Sequence, residues 1–350
     1  MIRRFLRIAA LASVALVLVF GLGLVALKSY GDATFFKDHN AFAPLHPELG
    51  DTTIVTEPVT FFGTEFPRKF RRSPLSIEAR PGDRVPCVLA QPVEFEGRLP
   101  TIVFVHGSGQ DKRFVEDICT PFVEAGFAML SFDQLGRGER RDRDAGILDT
   151  IRVGYNRGWA AVDDVSRIVD YLLTRDDVDP DRIYFVGVSY GAMVGTHVLA
   201  RDKRFDAGVL IVGGGDFRVM ADAPLIRDNI PGPIHAGLRG AARWLGGPFD
   251  PILSAPHTGP VPVLMQCGSE DRLVSPESGQ ALFDAMAEPK ELRWYDIDHP
   301  GLRDGDGPEI GRLLDDGLLW LADKANIELA LDQALPGQSA AAAFQDAAGI

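Results

Sequence analysis

From residue 101 onward the chain alternates short, uninterrupted apolar runs with stretches whose apolar residues recur every three or four positions. The predicted strands fall at 101–105, 128–132, 183–188, 207–212, 261–266 and 292–296, the last of them interrupted by Arg293, and the periodic stretches at 114–125, 159–173, 192–200, 276–287 and 309–324. A strand that is apolar on both sides is covered on both faces, and strands that alternate with amphipathic helices pair in parallel through helical crossovers. The pattern therefore predicts an α/β fold, with a mostly parallel central sheet and helices on both faces. In the stretch 159–173, Val162, Val165, Ile168, Val169 and Leu172 share one helical face. That face is read as packing on the sheet, not as a cofactor site.

Upstream, the β-prone runs 75–79 and 84–91 flank Arg80-Pro81-Gly82-Asp83, a hairpin signal that supplies the first two strands of such a sheet. A leading strand is predicted at 59–63, followed by the basic stretch Arg68, Lys69, Arg71 and Arg72. The Gly- and Pro-rich stretch 213–260 is too long for a plain connection, so a small cap insertion is expected between strands six and seven. The expected organisation is an N-terminal segment 1–27, a tether with its leading strand over 28–74, one α/β domain over 75–325, and an Ala- and Gln-rich disordered tail over 326–350.

No charged residue occurs from position 8 to position 27, and Arg3, Arg4 and Arg7 stand just before. As a helix, that run reaches about 30 Å, the thickness of a bilayer's hydrocarbon core. Positive charge on the near side leaves the N-terminus cytoplasmic and the remainder outside. The expectation is a transmembrane anchor with an extracytoplasmic catalytic domain. Gly31 and Ala33 leave open a cleaved signal and a secreted or periplasmic protein. A formal charge of −13 argues against a nucleic-acid-binding face. Three widely spaced cysteines, Cys87, Cys119 and Cys267, fit neither a disulfide framework nor a zinc site. They are expected as buried free thiols, although a pair could oxidise outside the cytoplasm.

Gly187-Val188-Ser189-Tyr190-Gly191 closes one apolar run and opens a helical one. A strand that turns sharply into a helix needs flanking glycines, and it presents the serine hydroxyl as a nucleophile at the helix N-terminus. His106-Gly107-Ser108-Gly109 follows run 101–105 directly. Its backbone, with that of the residue after the nucleophile, can stabilise a developing oxyanion, which assigns the N–H donors to Ser108 and Tyr190. Runs 261–266 and 292–296 lead into Cys267-Gly268-Ser269-Glu270-Asp271 and Ile297-Asp298-His299-Pro300. His299 is thus the general base, and Asp271 the acid that fixes its tautomer. Glu270 and Asp216 compete as the acid, and His197, His235 and His257 as the base; His106 is read as structural.

On these motifs, together with Asp133-Gln134-Leu135-Gly136-Arg137-Gly138 and Asp179-Pro180-Asp181-Arg182-Ile183, residues 75–325 resemble the α/β-hydrolase superfamily, in particular its dienelactone-hydrolase-like and acetyl-xylan-esterase-like branches. Ala192 departs from the pattern, standing where many relatives have a second glycine, and Pro300 follows the histidine. The resemblance implies a serine esterase that acts on a small-molecule ester through an acyl-enzyme, with no metal or organic cofactor. An acyltransferase or peptidase of the same fold is one alternative; a catalytically silent binding or scaffold protein is another. The run Arg137, Arg140, Arg141 and Arg143, interleaved with acids, is read as a solvated mixed-charge loop.

Overall fold

The computed structural model describes residues 43–61 and 64–329, together with Gly23, Val25, Ala26 and Ser29. Its strands are β1 (Glu48–Leu49), β2 (Thr53–Val55), β3 (Val59–Phe61), β4 (Thr64–Phe66), β5 (Phe70–Arg80), β6 (Asp83–Gln91), β7 (Leu99–Val105), β8 (Ala128–Phe132), β9 (Val178–Val188), β10 (Ala207–Ile211), β11 (Val263–Gly268) and β12 (Lys290–Tyr295). The main sheet runs β1-β5-β6-β8-β7-β9-β10-β11-β12, with β2 also on β5. β5, β6 and β8 pair antiparallel, and every pair from β8 through β7 to β12 is parallel. This is the mostly parallel sheet of the α/β fold that the alternating pattern predicts, and it agrees with the α/β-hydrolase fold that the motif resemblance implies.

Burial explains why the central strands read as continuous apolar runs. All seven residues of β7 and all five of β8 and of β10 are buried. Successive β7 side chains enter opposite layers: Val103 and Val105 join one core cluster, Ile102 and Phe104 the other. The first layer is closed by α3 (Ile147–Leu172), α4 (Tyr190–Arg201) and α8 (Pro276–Ala285), the second by α1 (Val115–Ile118), α2 (Thr120–Glu124) and α9 (Gly307–Lys324). Each fully buried Val, Leu, Ile or Phe side chain contributes about 1.5–3 kcal/mol.

Three expectations shift. The predicted leading strand at 59–63 is instead half of a hairpin, β3 with β4, apart from the main sheet, whose leading edge is β1 and β2. The basic stretch is not a mere linker, since Arg71 and Arg72 lie within β5 and Arg72 Nε donates to Glu116 at 2.8 Å. The helix predicted from 159 begins twelve residues earlier, at Ile147. Ile147, Leu148, Ile151 and Tyr155 of its early turns recur at helical spacing, but that stripe is not covered by the core: Ile147 and Leu148 are 80% and 82% exposed.

The basic run after β8 is also not uniformly solvated. Arg141 and Arg143 are exposed, but the Arg140 side chain keeps only 5% of its surface in water. It donates to Asp164 at 2.6 Å, to both oxygens of Asp83 at 2.8 Å and to the Asp133 carbonyl at 3.1 Å, while Arg80 bonds the other oxygen of Asp164 at 2.7 Å. Buried charges persist where their partners satisfy them in this way.

Cys87, Cys119 and Cys267 are free and buried, and burial pushes each thiol above its ordinary pKa. Among the described residues no helix is long and apolar enough to cross a membrane. The run 8–27 expected to do so lies outside the described residues, apart from Gly23, Val25 and Ala26, as does the tail beyond 329.

Candidate active site

The sheet delivers its candidate chemistry at the carboxyl ends of β7, β9, β11 and β12, where the strand order reverses around β7 and β9. Ser189 follows β9 directly and takes φ +55° and ψ −114°, a conformation that non-glycine residues rarely adopt. Its amide donates to the Ile211 carbonyl at 2.8 Å, and its own carbonyl accepts from Ala192 and Met193 at 2.9 and 3.2 Å. The flanking glycines are forced by space. A Cβ on Gly187 would stand 2.4 Å from the Gly191 carbonyl oxygen, and one on Gly191 2.0 Å from that of Val105. Ala192 is accommodated because Gly213 lies opposite, where a Cβ would come within 2.7 Å of the alanine methyl.

The half-buried Ser189 hydroxyl donates to His299 Nε2 at 2.9 Å, and His299 Nδ1 donates to Asp271 Oδ2 at 2.8 Å. The second oxygen of Asp271 accepts the amides of Leu273 and Val274 at 2.9 and 2.7 Å, so this buried carboxylate is fully engaged. The bonds fix one tautomer, with the proton on Nδ1 and the lone pair of Nε2 turned to the serine. Three residues that are 82 and 28 positions apart along the chain thus form one relay.

The loop after β7 lies against this elbow: a Cβ on Gly107 would be 3.8 Å from that of Ser189. Its shape is held by Gln110, whose Oε1 accepts the Gly107 amide at 3.0 Å, and by Gln134, whose Nε2 donates to the His106 carbonyl at 2.8 Å. Ser108 is exposed at the loop tip, and the Tyr190 amide is the first of α4, where helix geometry supplies no internal acceptor. His106 is buried, with Nδ1 donating to the Gly107 carbonyl at 2.8 Å, and burial lowers its pKa. It packs the loop.

The competing groups lie elsewhere. Glu270 and His257 are exposed, His235 Nε2 donates to the Ala221 carbonyl at 2.9 Å, and Asp216 caps the helix at Phe217–Ala221 and pairs with Arg218. A support that the sequence did not reveal is Asp298. Its carboxylate accepts the amides of His299 and Arg272 at 2.7 and 2.9 Å and the Arg272 guanidinium at 2.6 Å, while its own amide donates to Asp306 at 2.9 Å. These bonds hold the Asp298 carboxyl below its ordinary range although it is buried. Its place directly before His299 was the available signal; the partner 26 residues upstream was not.

The stretch between β10 and β11 folds into α5 (Phe217–Ala221), α6 (Pro224–Arg227), α7 (Gly232–Gly246) and three short turns. Asp250 ties it together by accepting the amides of Asp216, Phe217 and Ile252. Phe249 lies 5.6 Å from the Tyr190 ring and stacks at 5.1 Å on His197 of α4. His197 bonds Ser254 Oγ at 2.7 Å and the Phe249 carbonyl at 3.1 Å, and burial lowers its pKa to about 4.

That pKa makes His197 a pH-dependent fastener. The unfolded chain takes up a proton near pH 6.5, whereas the folded chain resists it down to about pH 4. The contribution to stability is complete above pH 6.5 and is lost as pH falls through this window, roughly 3 kcal/mol in all. Urea unfolding at pH 7 and pH 4.5 is expected to show this loss, and His197→Gln to flatten the profile by a similar amount. An unchanged profile in the variant would refute the assignment.

Among the described residues, no group of three or more His, Cys, Asp or Glu is placed to hold a metal ion. The alpha/beta hydrolase family profile matches residues 102–348, most of the chain. The chain belongs to the alpha/beta hydrolase family. A Bacillus subtilis (strain 168) protein designated a hydrolase, YtaP, is 26% identical over 161 residues, covering 42% of this chain and 54% of its own, so the match spans about half of that relative. The acetyl xylan esterase from Paenibacillus sp. R4 superposes with a TM-score of 0.61 at 20% identity, over 86% of this chain and 93% of its own. Acetyl xylan esterase 1 from Thermoanaerobacterium sp. JW/SL YS485 gives 0.62 at 20% identity, over 84% and 93%. At such identity the likeness is one of fold, and it joins this hydrolase to an architecture that esterases use.

Proposed function

We propose that this α/β hydrolase is a serine esterase that cleaves a small-molecule carboxylic ester through an acyl-enzyme. The observation that carries the reading is the unbroken hydrogen-bond relay from Ser189 through His299 to Asp271. Ser189 Oγ attacks the ester carbonyl as its proton passes to His299 Nε2, and Asp271 stabilises the imidazolium. The tetrahedral oxyanion is received by the amides of Ser108 and Tyr190. Collapse expels the alcohol, protonated by His299; water activated by the same imidazole then releases the acid and restores the serine. On this reading residues 75–325 form the catalytic unit, and the helical insertion within 213–260 is a cap over the cleft, its Phe249 lying on the tyrosine beside the nucleophile. The uncharged run 8–27 behind three arginines supports anchoring or export of that unit.

The deciding experiment is reaction of the purified chain with a fluorophosphonate probe, followed by peptide mapping, alongside turnover of p-nitrophenyl acetate. The label is expected on the peptide that contains Ser189, with turnover lost in proportion to labelling. Label on another residue, or none where a reference esterase reacts fully, would overturn the proposal.

A further inference from the structure

Two arginines without a carboxylate partner lie near Tyr190, the residue after the candidate nucleophile. The Arg157 guanidinium lies over the Tyr190 ring at 4.3 Å, and Tyr190 is the residue after Ser189. Arg137 sits in the loop after β8, near enough for the charge of Arg157 to act on it and for its own charge to act on the Tyr190 phenol. The loop is pressed onto α3 at this point: a Cβ on Gly136 would stand 2.5 Å from Val153 Cγ1, and Val153 and Arg157 are one helical turn apart on the same face.

Arg157 meets the Tyr190 ring and hydroxyl, but no carboxylate among the described residues pairs with either guanidinium. Arg137 Nε and Arg157 Nε are both buried with no hydrogen-bond partner, and neither guanidinium has an ion pair among the described residues. Arg80, Arg140 and Arg167 also carry an orphan nitrogen, but each is paired to a carboxylate through its other nitrogens. The acids near the Arg137 loop are already committed: Asp133 and Glu139 to Lys112, Asp83 and Asp164 to Arg140. Burial, and then the positive charge of Arg157, hold the Arg137 guanidinium below its ordinary pKa. Two like charges partly withdrawn from water are costly unless an anion completes them, and a guanidinium fork matches a carboxylate in a bidentate fashion.

We propose that Arg137 and Arg157 form the specificity site of this enzyme and select esters whose acyl part ends in a carboxylate. The inference rests on the esterase reading of Ser189 and names the substrate class of that site. The protein's overall charge of −13 repels such a substrate at a distance, which leaves recognition to this local cationic pair.

The test compares kcat/KM for p-nitrophenyl hemiadipate with that for p-nitrophenyl hexanoate, esters of equal chain length with and without the terminal carboxylate. The wild type is expected to favour the hemiester, and Arg137→Gln and Arg157→Gln each to lower the ratio by about tenfold to a hundredfold, mainly through KM. Arg137→Lys restores part of the ratio, and the exposed control Arg143→Gln leaves it unchanged. Equal loss on both esters, as a purely structural arginine would give, overturns the proposal, as does a wild type indifferent to the carboxylate. A second arm needs no turnover: calorimetric binding of adipate to Ser189→Ala, expected to weaken at least tenfold when Arg137→Gln is added. Absence of fluorophosphonate labelling would refute the esterase reading alone, whereas adipate binding unaffected by Arg137→Gln would refute the anion site alone.

Discussion

Replacing Ser189 by alanine is expected to lower kcat on p-nitrophenyl acetate by about a millionfold, with His299→Ala equally damaging and the double variant no worse than either. Non-additivity follows from the geometry. On this reading the hydroxyl at 2.9 Å from His299 Nε2 is a nucleophile only while that nitrogen takes its proton, and the later tasks of the imidazole, protonating the alcohol and activating water, arise only from the acyl transfer that the serine begins. Removing one member therefore removes the function of both. The residue of catalysis, about a thousandfold or more over water, would come from binding and the amides of Ser108 and Tyr190. Single-turnover kinetics on active-site-titrated protein would measure this. Losses that multiply in the double variant would mean that Ser189 and His299 act independently, and the relay would have to be given up.

Asp271→Asn is expected to cost about ten-thousandfold in kcat with little change in thermal stability. The amides of Leu273 and Val274 both donate to Oδ1, and only an oxygen can accept them. An asparagine must keep its carbonyl there and turn its amide group toward His299 Nδ1. The imidazole then accepts at Nδ1 and carries its proton on Nε2, facing the serine with the wrong tautomer. A kcat within tenfold of wild type would show that another group orients the histidine. Glu270, exposed on the same loop, is poorly placed to do so.

The parts legible in the sequence were those in which one local cause dominates. Strands buried on both faces cannot be anything but apolar, so β7, β8, β10 and β11 stood out to within two residues. The elbow was legible because its glycines are demanded by contacts with Val105 and with each other. The candidate acid and base were picked from their places after particular strands, and the structure brings both into hydrogen-bonding reach of the candidate nucleophile's chain of contacts. What stayed hidden was set by partners distant in sequence. The edge strands β1 and β2, two and three residues long, carry no periodicity to read. The first turns of α3 leave Ile147, Leu148 and Ile151 exposed, and Arg140, among other charges along the chain, gave no sign of the two carboxylates it would meet. The Asp298–Arg272 bond and the stack of Phe249 on His197 belong to the same class, contacts that only the folded chain creates.

The Asp298 carboxylate bonds amides from both the loop that follows β11 and the loop that follows β12. The candidate acid and base are thereby tied into one block at the carboxyl edge of the sheet, and the helical insertion is fastened to it as well, since the Leu225 amide donates to the Arg272 carbonyl at 2.9 Å. A change of sequence around Leu225 is therefore felt in the loop that carries Asp271, while Asp298 holds that loop to His299 and limits how far it can move.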